Sequence, residues 1–305
     1  MSPTVHRRAL LAALPALSAA RSATAQPGPP PEAVSGPGIE TFDLGSGAGH
    51  EWRITLARPE GPPPAGGYPC LWLLDGNATF PMAWRARQQA GAGAGGVALV
   101  GIGHPGEGRP DNARRFLELT PPTVPETFGE RRREDPPETG GRGAFLAFLD
   151  TVLRPELQRR LPLDPGRMTL FGHSLGGLFG LHVLFTRPEM FEAYALADPS
   201  IWWNRRSILD EQAAFLAGMR LAGGRAARPV RVLVSISGKP GRAESVARMG
   251  PPNGRDTAAA LAAIPGLRVG FRDMPEENHG TMMAPSISNA LKLALGRSPE
   301  EIAAG

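Results

Sequence analysis

Residues 168–185 of the chain read MTLFGHSLGGLFGLHVLF. The first four favour a strand, and the last eleven have the apolar content and length of a buried helix. The intervening pattern G-x-S-x-G in this strand–turn–helix setting is typical of a nucleophile elbow. It predicts that Ser174 projects above a sheet edge as a nucleophile. It also predicts that any side chain at Gly172 or Gly176 would collide with neighbouring backbone in this tight turn.

Strand-like and helix-like segments alternate on both sides of this turn. Such alternation predicts βαβ units and a mostly parallel sheet, whereas the first strands have no helices between them and favour an antiparallel edge. The pattern predicts an α/β-hydrolase fold with helices on both sheet faces and a loop-rich cap. The predicted strands are Trp52–Leu56, Cys70–Leu74, Val97–Ile102, Met168–Phe171, Tyr194–Ala197, Val230–Ile236 and Val269–Arg272. The predicted helices are Phe80–Gln89, Ala144–Leu161, Leu175–Phe185, Ile208–Leu221, Thr257–Ala263 and Met283–Leu295.

A serine hydroxyl needs a general base, and His279 is the candidate. It lies between the last predicted strand and the last predicted helix, which suits the chain order serine, acid, histidine of this fold. His173 is next to the nucleophile and cannot turn back onto its Oγ productively. His182 is interpreted as a packed or surface residue. His104 follows a central strand and is predicted to contact substrate.

The acid that orients His279 is less well defined. It should follow the strand Val230–Ile236, and Glu244 is the first carboxylate after that strand, so Glu244 is the first choice. A Ser–His dyad, in which a backbone carbonyl or a water holds the histidine, is an alternative. The other candidate acids are Asp256, Glu276, Glu277 and, after the preceding strand, Asp198.

Two backbone amides are predicted to form the oxyanion hole. The amide of Leu175 lies at a helix N-terminus directly after the nucleophile. The amide of Asn77 comes from the loop after the strand Cys70–Leu74, where this fold supplies its second donor. Asp75, at the end of that strand, is expected to organise the loop.

Five segments, in order along most of the chain, resemble the putative-esterase (esterase D-like) family of α/β-hydrolases. Within it, they are most similar to the periplasmic trilactone siderophore esterases and the bacillibactin esterases. The resemblance implies hydrolysis of ester bonds in catecholate siderophores or their ferric complexes, with Ser174 and His279 as catalytic residues. The segments are Gly67–Ala78, Arg115–Pro121, Gly172–Gly177, Asp198–Trp203 and Asn278–Gly280.

The resemblance also suggests substrate contacts. It makes Arg115 a candidate for binding an anionic ligand that bears catechol groups, since a guanidinium pairs with negative charge and stacks on aromatic rings. A structural ion pair is the alternative for Arg115. Trp202 and Trp203 are candidates for the pocket wall, with a core role favoured for at least one of them.

The chain departs from the family pattern at three of these positions. Glu118 and Leu119 replace an aspartate and a tyrosine, and Asp198 replaces a serine. The first two leave the substrate open. The alternatives are a general, feruloyl- or acetyl-type carboxylesterase, a non-catalytic siderophore-binding relative and an exported peptidase.

The N-terminus has the features of an export signal. Arg7-Arg8 precedes a short apolar run, and Ala23-Thr24-Ala25 matches a cleavage site. The paired arginines favour the twin-arginine route over an ordinary secretory signal. We expect a signal peptide at 1–25, a disordered Pro- and Gly-rich linker at 26–36, a catalytic domain at 37–298 and a periplasmic or secreted mature protein.

Residues 104–142 form a long Pro- and Gly-rich stretch without sustained periodicity. Long loops in compact domains are usually functional or disordered, and this one follows a predicted core strand at the ligand-binding edge of the sheet. It is interpreted as a cap-like insertion, with a solvated loop of no consequence as the alternative.

Composition excludes several other classes of function. The formal net charge is +4, and three of the arginines lie in the predicted signal peptide, so the mature chain is nearly neutral and no nucleic-acid partner is expected. No spacing resembles a metal site, and neither a metal nor an organic cofactor is predicted. Cys70, the single cysteine, is expected to be buried. No stretch of the mature chain is long and apolar enough to span a membrane.

Overall fold

Eight strands form one mixed sheet. The computed structural model describes residues 34–45, 49–91, 93–106, 111–128, 134–239 and 250–305. The predicted signal peptide, most of the predicted linker and Glu244 lie outside these residues. The strands are β1 (Ile39–Gly45), β2 (Glu51–Ala57), β3 (Tyr68–Leu74), β4 (Ala98–Gly103), β5 (Leu163–His173), β6 (Ala193–Ala197), β7 (Val230–Ser237) and β8 (Leu267–Met274). Their order across the sheet is β1-β2-β4-β3-β5-β6-β7-β8.

The sheet is parallel except at one edge. From β4 through β8 each neighbouring pair is parallel, while β2 is antiparallel to β4 and β1 is antiparallel to β2. The predicted antiparallel edge is confirmed for the strand Trp52–Leu56, whereas Cys70–Leu74 is parallel to both of its neighbours. β1 was absent from the predicted strands because Glu40 and Asp43 interrupt its apolar pattern. In the structure, Asp43 lies opposite Arg53 of β2 and pairs with it at 2.9 Å.

Helices cover both faces of the sheet, as predicted. They are α1 (Gly76–Gln89), α2 (Asn112–Leu119), α3 (Arg142–Phe148), α4 (Arg154–Arg160), α5 (Leu175–Thr186), α6 (Ile208–Leu221), α7 (Gly254–Ala262), α8 (Met283–Ala294) and α9 (Pro299–Ala304). A π-helical segment, Leu149–Leu153, joins α3 to α4. One core cluster packs α2 to α7 on one face, and a second packs α1, α8 and α9 on the other. Among the described residues, no helix has the length and apolarity to cross a membrane.

The segment 104–142 contains regular structure that its sequence did not predict. Its described part includes α2 and a 3₁₀ turn, Pro125–Thr127. The carboxylate of Asp111 caps α2 by accepting hydrogen bonds from the amides of Ala113 and Arg114. The helix has only two turns, which is too short for its periodicity to stand out from the surrounding loops. Its role as a cap over the site stays a prediction.

Candidate active site

Ser174 occupies the strained turn between β5 and α5. Its φ is 59° and its ψ is −116°, a conformation that residues with side chains rarely adopt outside functional turns. A Cβ at Gly172 would lie 2.1 Å from the carbonyl oxygen of Gly176, so only glycine fits there. The expected collision at Gly176 itself is wrong, because its nearest contact would be an ordinary 3.5 Å to Leu74.

Three side chains form a hydrogen-bonded relay at this turn. His279 Nε2 lies 3.0 Å from Ser174 Oγ, and His279 Nδ1 lies 3.0 Å from Asp198 Oδ2. The structure thus brings together the predicted nucleophile and base. The acid in contact with the base is Asp198, which takes the position that was expected for Glu244, the first choice. The connection Ser–His–Asp can move a proton from the serine while the carboxylate fixes the imidazole tautomer.

Asp198 is held as a carboxylate by its surroundings. It directly follows β6, the strand next to the nucleophile strand, and its φ is 41°. The amide and hydroxyl of Ser237, at the end of β7, donate to its two oxygens at 2.8 and 2.5 Å. Burial alone would raise the pKa of Asp198, but the hydrogen bonds from His279 and Ser237 outweigh it and hold this pKa below its usual value.

His173 makes an unpredicted contact with the base. Its Nε2 lies 2.8 Å from the backbone carbonyl oxygen of His279, and the two ring centroids are 4.5 Å apart. Burial, reinforced by the nearby charge of His279, lowers the pKa of His173 to about 4. His173, His279 and Asp198 each offer one atom that could bind a metal, and these three atoms lie within 4.8 Å of one another. The bond between His279 and Asp198 and the bond from His173 to the His279 carbonyl bring these groups together, and the predicted absence of a metal stays a prediction.

Ser200 is a second residue at the nucleophile that sequence reasoning missed. Its Oγ lies 3.4 Å from Ser174 Oγ, and its amide donates to the carbonyl of Ser174 at 3.1 Å. The segment Asp198–Trp203 carried part of the family resemblance, yet nothing in it marked this serine. It is buried, so its hydroxyl is available to the nucleophile rather than to bulk solvent.

The two predicted oxyanion donors lie at helix N-termini. Leu175 is the first residue of α5 and Asn77 is the second of α1, so neither amide has an acceptor within its own helix. The side chain of Asn77 exchanges two hydrogen bonds with the backbone of His104, at 2.8 and 3.0 Å. These bonds fasten the first turn of α1 to the end of β4. Oxyanion binding by both amides stays a prediction.

Arg115 forms a structural ion pair. Its Nε and Nη2 contact the two carboxylate oxygens of Asp75 at 2.5 and 2.9 Å. Asp75 has a φ of 56° and immediately precedes α1, so it organises this loop as expected. The alternative interpretation of Arg115 is therefore the one the geometry favours. One edge of the guanidinium is engaged, and any contact with a ligand has to use the other.

His104 is not an exposed substrate contact. It lies in the wall of an open polar cavity of about 490 Å³, but only 6% of its surface is exposed. Its Nε2 is 2.8 Å from Glu118, which also accepts from Arg114. The prediction that His104 binds substrate is corrected accordingly: its side chain belongs to a buried ionic network. Glu118, one of the departures from the family pattern, belongs to the same network.

The tandem tryptophans differ in role. Trp203 is buried, stacks on Phe116 with ring centroids 5.6 Å apart and donates from Nε1 to the hydroxyl of Thr123 at 2.9 Å. The expected core role is confirmed for Trp203. Trp202 is half-buried beside it, with ring centroids 5.4 Å apart. Its place in a pocket wall stays a prediction.

The sheet topology, the strained elbow and the Ser–His–Asp relay define a hydrolase of the α/β-hydrolase fold. The model of the family described as "Putative esterase" matches residues 46–245, and the chain belongs to that family. Relatives of the chain are named esterases, and this chain is an esterase by fold, relay and family.

The relatives include proteins with named substrates. The ferri-bacillibactin esterase BesA of Bacillus subtilis is 32% identical over 268 residues, which cover 85% of this chain and 90% of the relative. The siderophore triacetylfusarinine C esterase of Aspergillus fumigatus is 39% identical over 61% of this chain and 64% of the relative. A crystal structure of the BES protein from Bacillus cereus aligns with a TM-score of 0.74 and 28% identity, and covers 86% of this chain and 98% of that one.

Proposed function

We propose that this chain hydrolyses ester bonds of siderophores, foremost catecholate trilactones or their ferric complexes. The observation that carries the proposal is the continuous hydrogen-bonded relay from Ser174 through His279 to Asp198. The relay supplies the chemistry of ester cleavage, and the similarity to named siderophore esterases supports the substrate class.

The mechanism follows from the geometry of the relay. His279 accepts the proton of Ser174 as the hydroxyl oxygen attacks the ester carbonyl carbon, and Asp198 stabilises the resulting imidazolium. The amides of Leu175 and Asn77 donate to the oxyanion. His279 then protonates the leaving alkoxide, which departs and leaves an acyl-enzyme. A water molecule, deprotonated by the same histidine, attacks the acyl-enzyme, and the carboxylic acid leaves with Ser174 restored.

The decisive experiment compares substrates. The purified protein is given a catecholate trilactone, its ferric complex and a p-nitrophenyl ester, with Ser174→Ala as the control. We expect kcat/KM for a trilactone form to exceed that for the p-nitrophenyl ester by 100-fold or more, and both activities to vanish in Ser174→Ala. Hydrolysis of the p-nitrophenyl ester alone would reject the siderophore assignment and retain the esterase.

A general carboxylesterase is the second candidate because of the substrate contacts. Arg115 is engaged by Asp75 and His104 by Glu118, so two of the side chains expected to select a siderophore are occupied within the protein. Feruloyl and acetyl esters in the same assay test this candidate. A fluorophosphonate probe tests the non-catalytic alternative, since a protein that only binds would leave Ser174 unlabelled.

We propose further that the protein is exported through the twin-arginine route. The support is the sequence of residues 1–25, which lie outside the described residues. Cell fractionation with N-terminal sequencing should find a mature protein that begins at Gln26 outside the cytoplasm. Replacing both Arg7 and Arg8 by lysine should block export. Unchanged export of that variant would indicate an ordinary secretory signal instead.

A further inference from the structure

The catalytic histidine lies on an exposed loop. The side chain of His279 is 56% exposed, and the loop that carries it follows β8. Other hydrogen bonds in this loop, such as those from the Lys239 amide to the Glu277 carbonyl and from the Gly280 amide to the Asn278 side chain, stabilise its neighbours. The Gly280 amide shares its peptide group with the His279 carbonyl, so this bond and the bond from His173 restrain the same peptide group. Both ring nitrogens are committed to the relay, and the backbone of His279 has to hold the ring within reach of Ser174 and Asp198 at once.

His173 holds that backbone. We propose that His173 is a positioning residue for the esterase reaction: its Nε2–H donates to the carbonyl of His279, and its ring supports the His279 ring between Ser174 and Asp198. The inference rests on the esterase mechanism proposed above. Because His173 is the last residue of β5 and precedes the nucleophile, one short segment fixes both reacting groups relative to each other. This residue is the variable position of the G-x-S-x-G pattern, which by itself assigns it no role.

His173 is suited to this role because it stays uncharged. A carbonyl only accepts, so the hydrogen bond requires the proton on Nε2. The ionisable groups that face His173 are His279, Asp198 and Asp75, and Asp75 is already paired with Arg115. Burial and the charge of His279 outweigh the two carboxylates and the bond to the His279 carbonyl, all of which raise the pKa, and lower the pKa of His173 to about 4. At neutral pH it therefore remains a neutral donor.

The absence of charge on His173 also matters during turnover. His279 becomes an imidazolium when it takes the serine proton, and the ring of His173 is 4.5 Å away. A second cation at that distance would oppose proton transfer, whereas a neutral aromatic ring tolerates or stabilises the charge. A neutral His173 also does not attract the carboxylate of Asp198 away from His279 and Ser237. His173 thus combines a fixed donor with a ring that does not compete for the relay.

Three substitutions at His173 separate the donor from the rest of the side chain. In His173→Gln, the amide nitrogen reaches about as far as Nε2 and can still donate to the His279 carbonyl. His173→Asn has the same amide on a shorter side chain, and His173→Leu has no donor. His182→Gln is the matched control, because His182 is a histidine of α5 that pairs with Glu211. Thermal unfolding first establishes which variants fold.

The readouts are kcat, KM and the rate of Ser174 labelling by a fluorophosphonate from pH 5 to 9. We expect His173→Asn and His173→Leu to lose about 10- to 100-fold in kcat and labelling rate, as a displaced catalytic group does. Their KM should stay within about twofold, and the acidic limb of their pH profile should shift. His173→Gln should recover to within about fivefold of the wild type.

Two outcomes would overturn the role of His173. One is a folded Asn or Leu variant with the wild-type labelling rate and pH profile. The other is a folded Gln variant as slow as the Asn variant. Labelling needs no siderophore, so these outcomes remain distinct from a failure of the substrate assignment. A wild-type protein that neither labels nor hydrolyses any ester would instead reject the proposed function.

Discussion

Asp198 orients His279 through a single hydrogen bond, so its replacement tests the relay directly. Asparagine at this position keeps the shape but can present an N–H to Nδ1 and favour the wrong imidazole tautomer. We expect Asp198→Asn to lower kcat by about 10⁴-fold with little change in KM. Glu244→Gln is the matched control and should retain nearly full activity. Steady-state kinetics on a p-nitrophenyl ester measure both, and a larger loss in Glu244→Gln would restore Glu244 as the acid.

These residues also show where sequence reasoning succeeds at an active site. Ser174 and His279 could be predicted because each has a local signature: a glycine-flanked turn for Ser174, and for His279 a position between the last strand and the helix that follows it. The acid has no such signature, because the end of β6 and the end of β7 lie side by side and both can reach the histidine. Asp198 is favoured physically by the donors of Ser237, and that neighbour is apparent only once the strands are paired.

Among the structural elements, α2 is fastened to the site by the ion pair between Arg115 and Asp75. Because both side chains are largely buried, loss of one partner leaves a poorly compensated charge. We expect Arg115→Met to lower the free energy of unfolding by about 3 kcal/mol. A double-mutant cycle with Asp75→Asn, followed by urea unfolding, should give a coupling energy above 1 kcal/mol. If the stability effects of the two substitutions were additive and Arg115→Met raised KM for a siderophore, Arg115 would instead be a ligand-binding residue.

A left-handed turn after Trp203 is a second strained element. Asn204, Arg205 and Arg206 have φ values of 45°, 56° and 61° in succession. The side chain of Asn204 clamps the turn to the carbonyl of Pro122 and the amide of Val124, both at 3.1 Å. These bonds offset part of the cost of the unfavourable backbone, which is about 1–2 kcal/mol per residue.

Arg205 is the position in this turn where the strain can be tested, because its side chain is 74% exposed. Glycine adopts positive φ freely, whereas alanine keeps the strain and removes the same side chain. We expect Arg205→Gly to be more stable than Arg205→Ala by about 1 kcal/mol in urea unfolding. Equal stability of the two variants would show that the turn carries no strain at Arg205.

The elements that sequence analysis predicted are those with sustained periodicity or full burial. The central parallel strands and α5, α6 and α8 were found with errors of a few residues at their ends. The missed elements are short and depend on tertiary partners. β1 relies on the ion pair between its Asp43 and Arg53 of β2, and α2 relies on the cap from Asp111. α9 relies on close packing against β8: a Cβ at Gly270 would lie 2.0 Å from a backbone oxygen of α9.

At the scale of the whole molecule, the active site makes folding stability depend on pH. The pKa of His173 is about 4 in the folded protein, against an ordinary value of 6.5, so the unfolded chain binds an extra proton between these values. The contribution of His173 to the free energy of unfolding is then fully present above about pH 6.5 and is lost progressively as the pH falls towards 4. The pKa values of the carboxyls of Asp198 and Glu211 are lowered, and their contributions are lost only below the usual carboxylate range.

His173 loses its contribution at a higher pH than the carboxyls do, so its contribution can be measured separately. Between pH 6.5 and 4.5, the free energy of unfolding of the wild type should fall by up to about 1.4 kcal/mol per pH unit. His173→Gln has no group that titrates there and should show a flatter dependence over the same interval, while His182→Gln should retain the slope from His173. Urea unfolding at half-unit pH steps gives all three curves. Parallel curves for the wild type and His173→Gln would mean that folding does not lower the pKa of His173, which its burial and the charge of His279 both oppose.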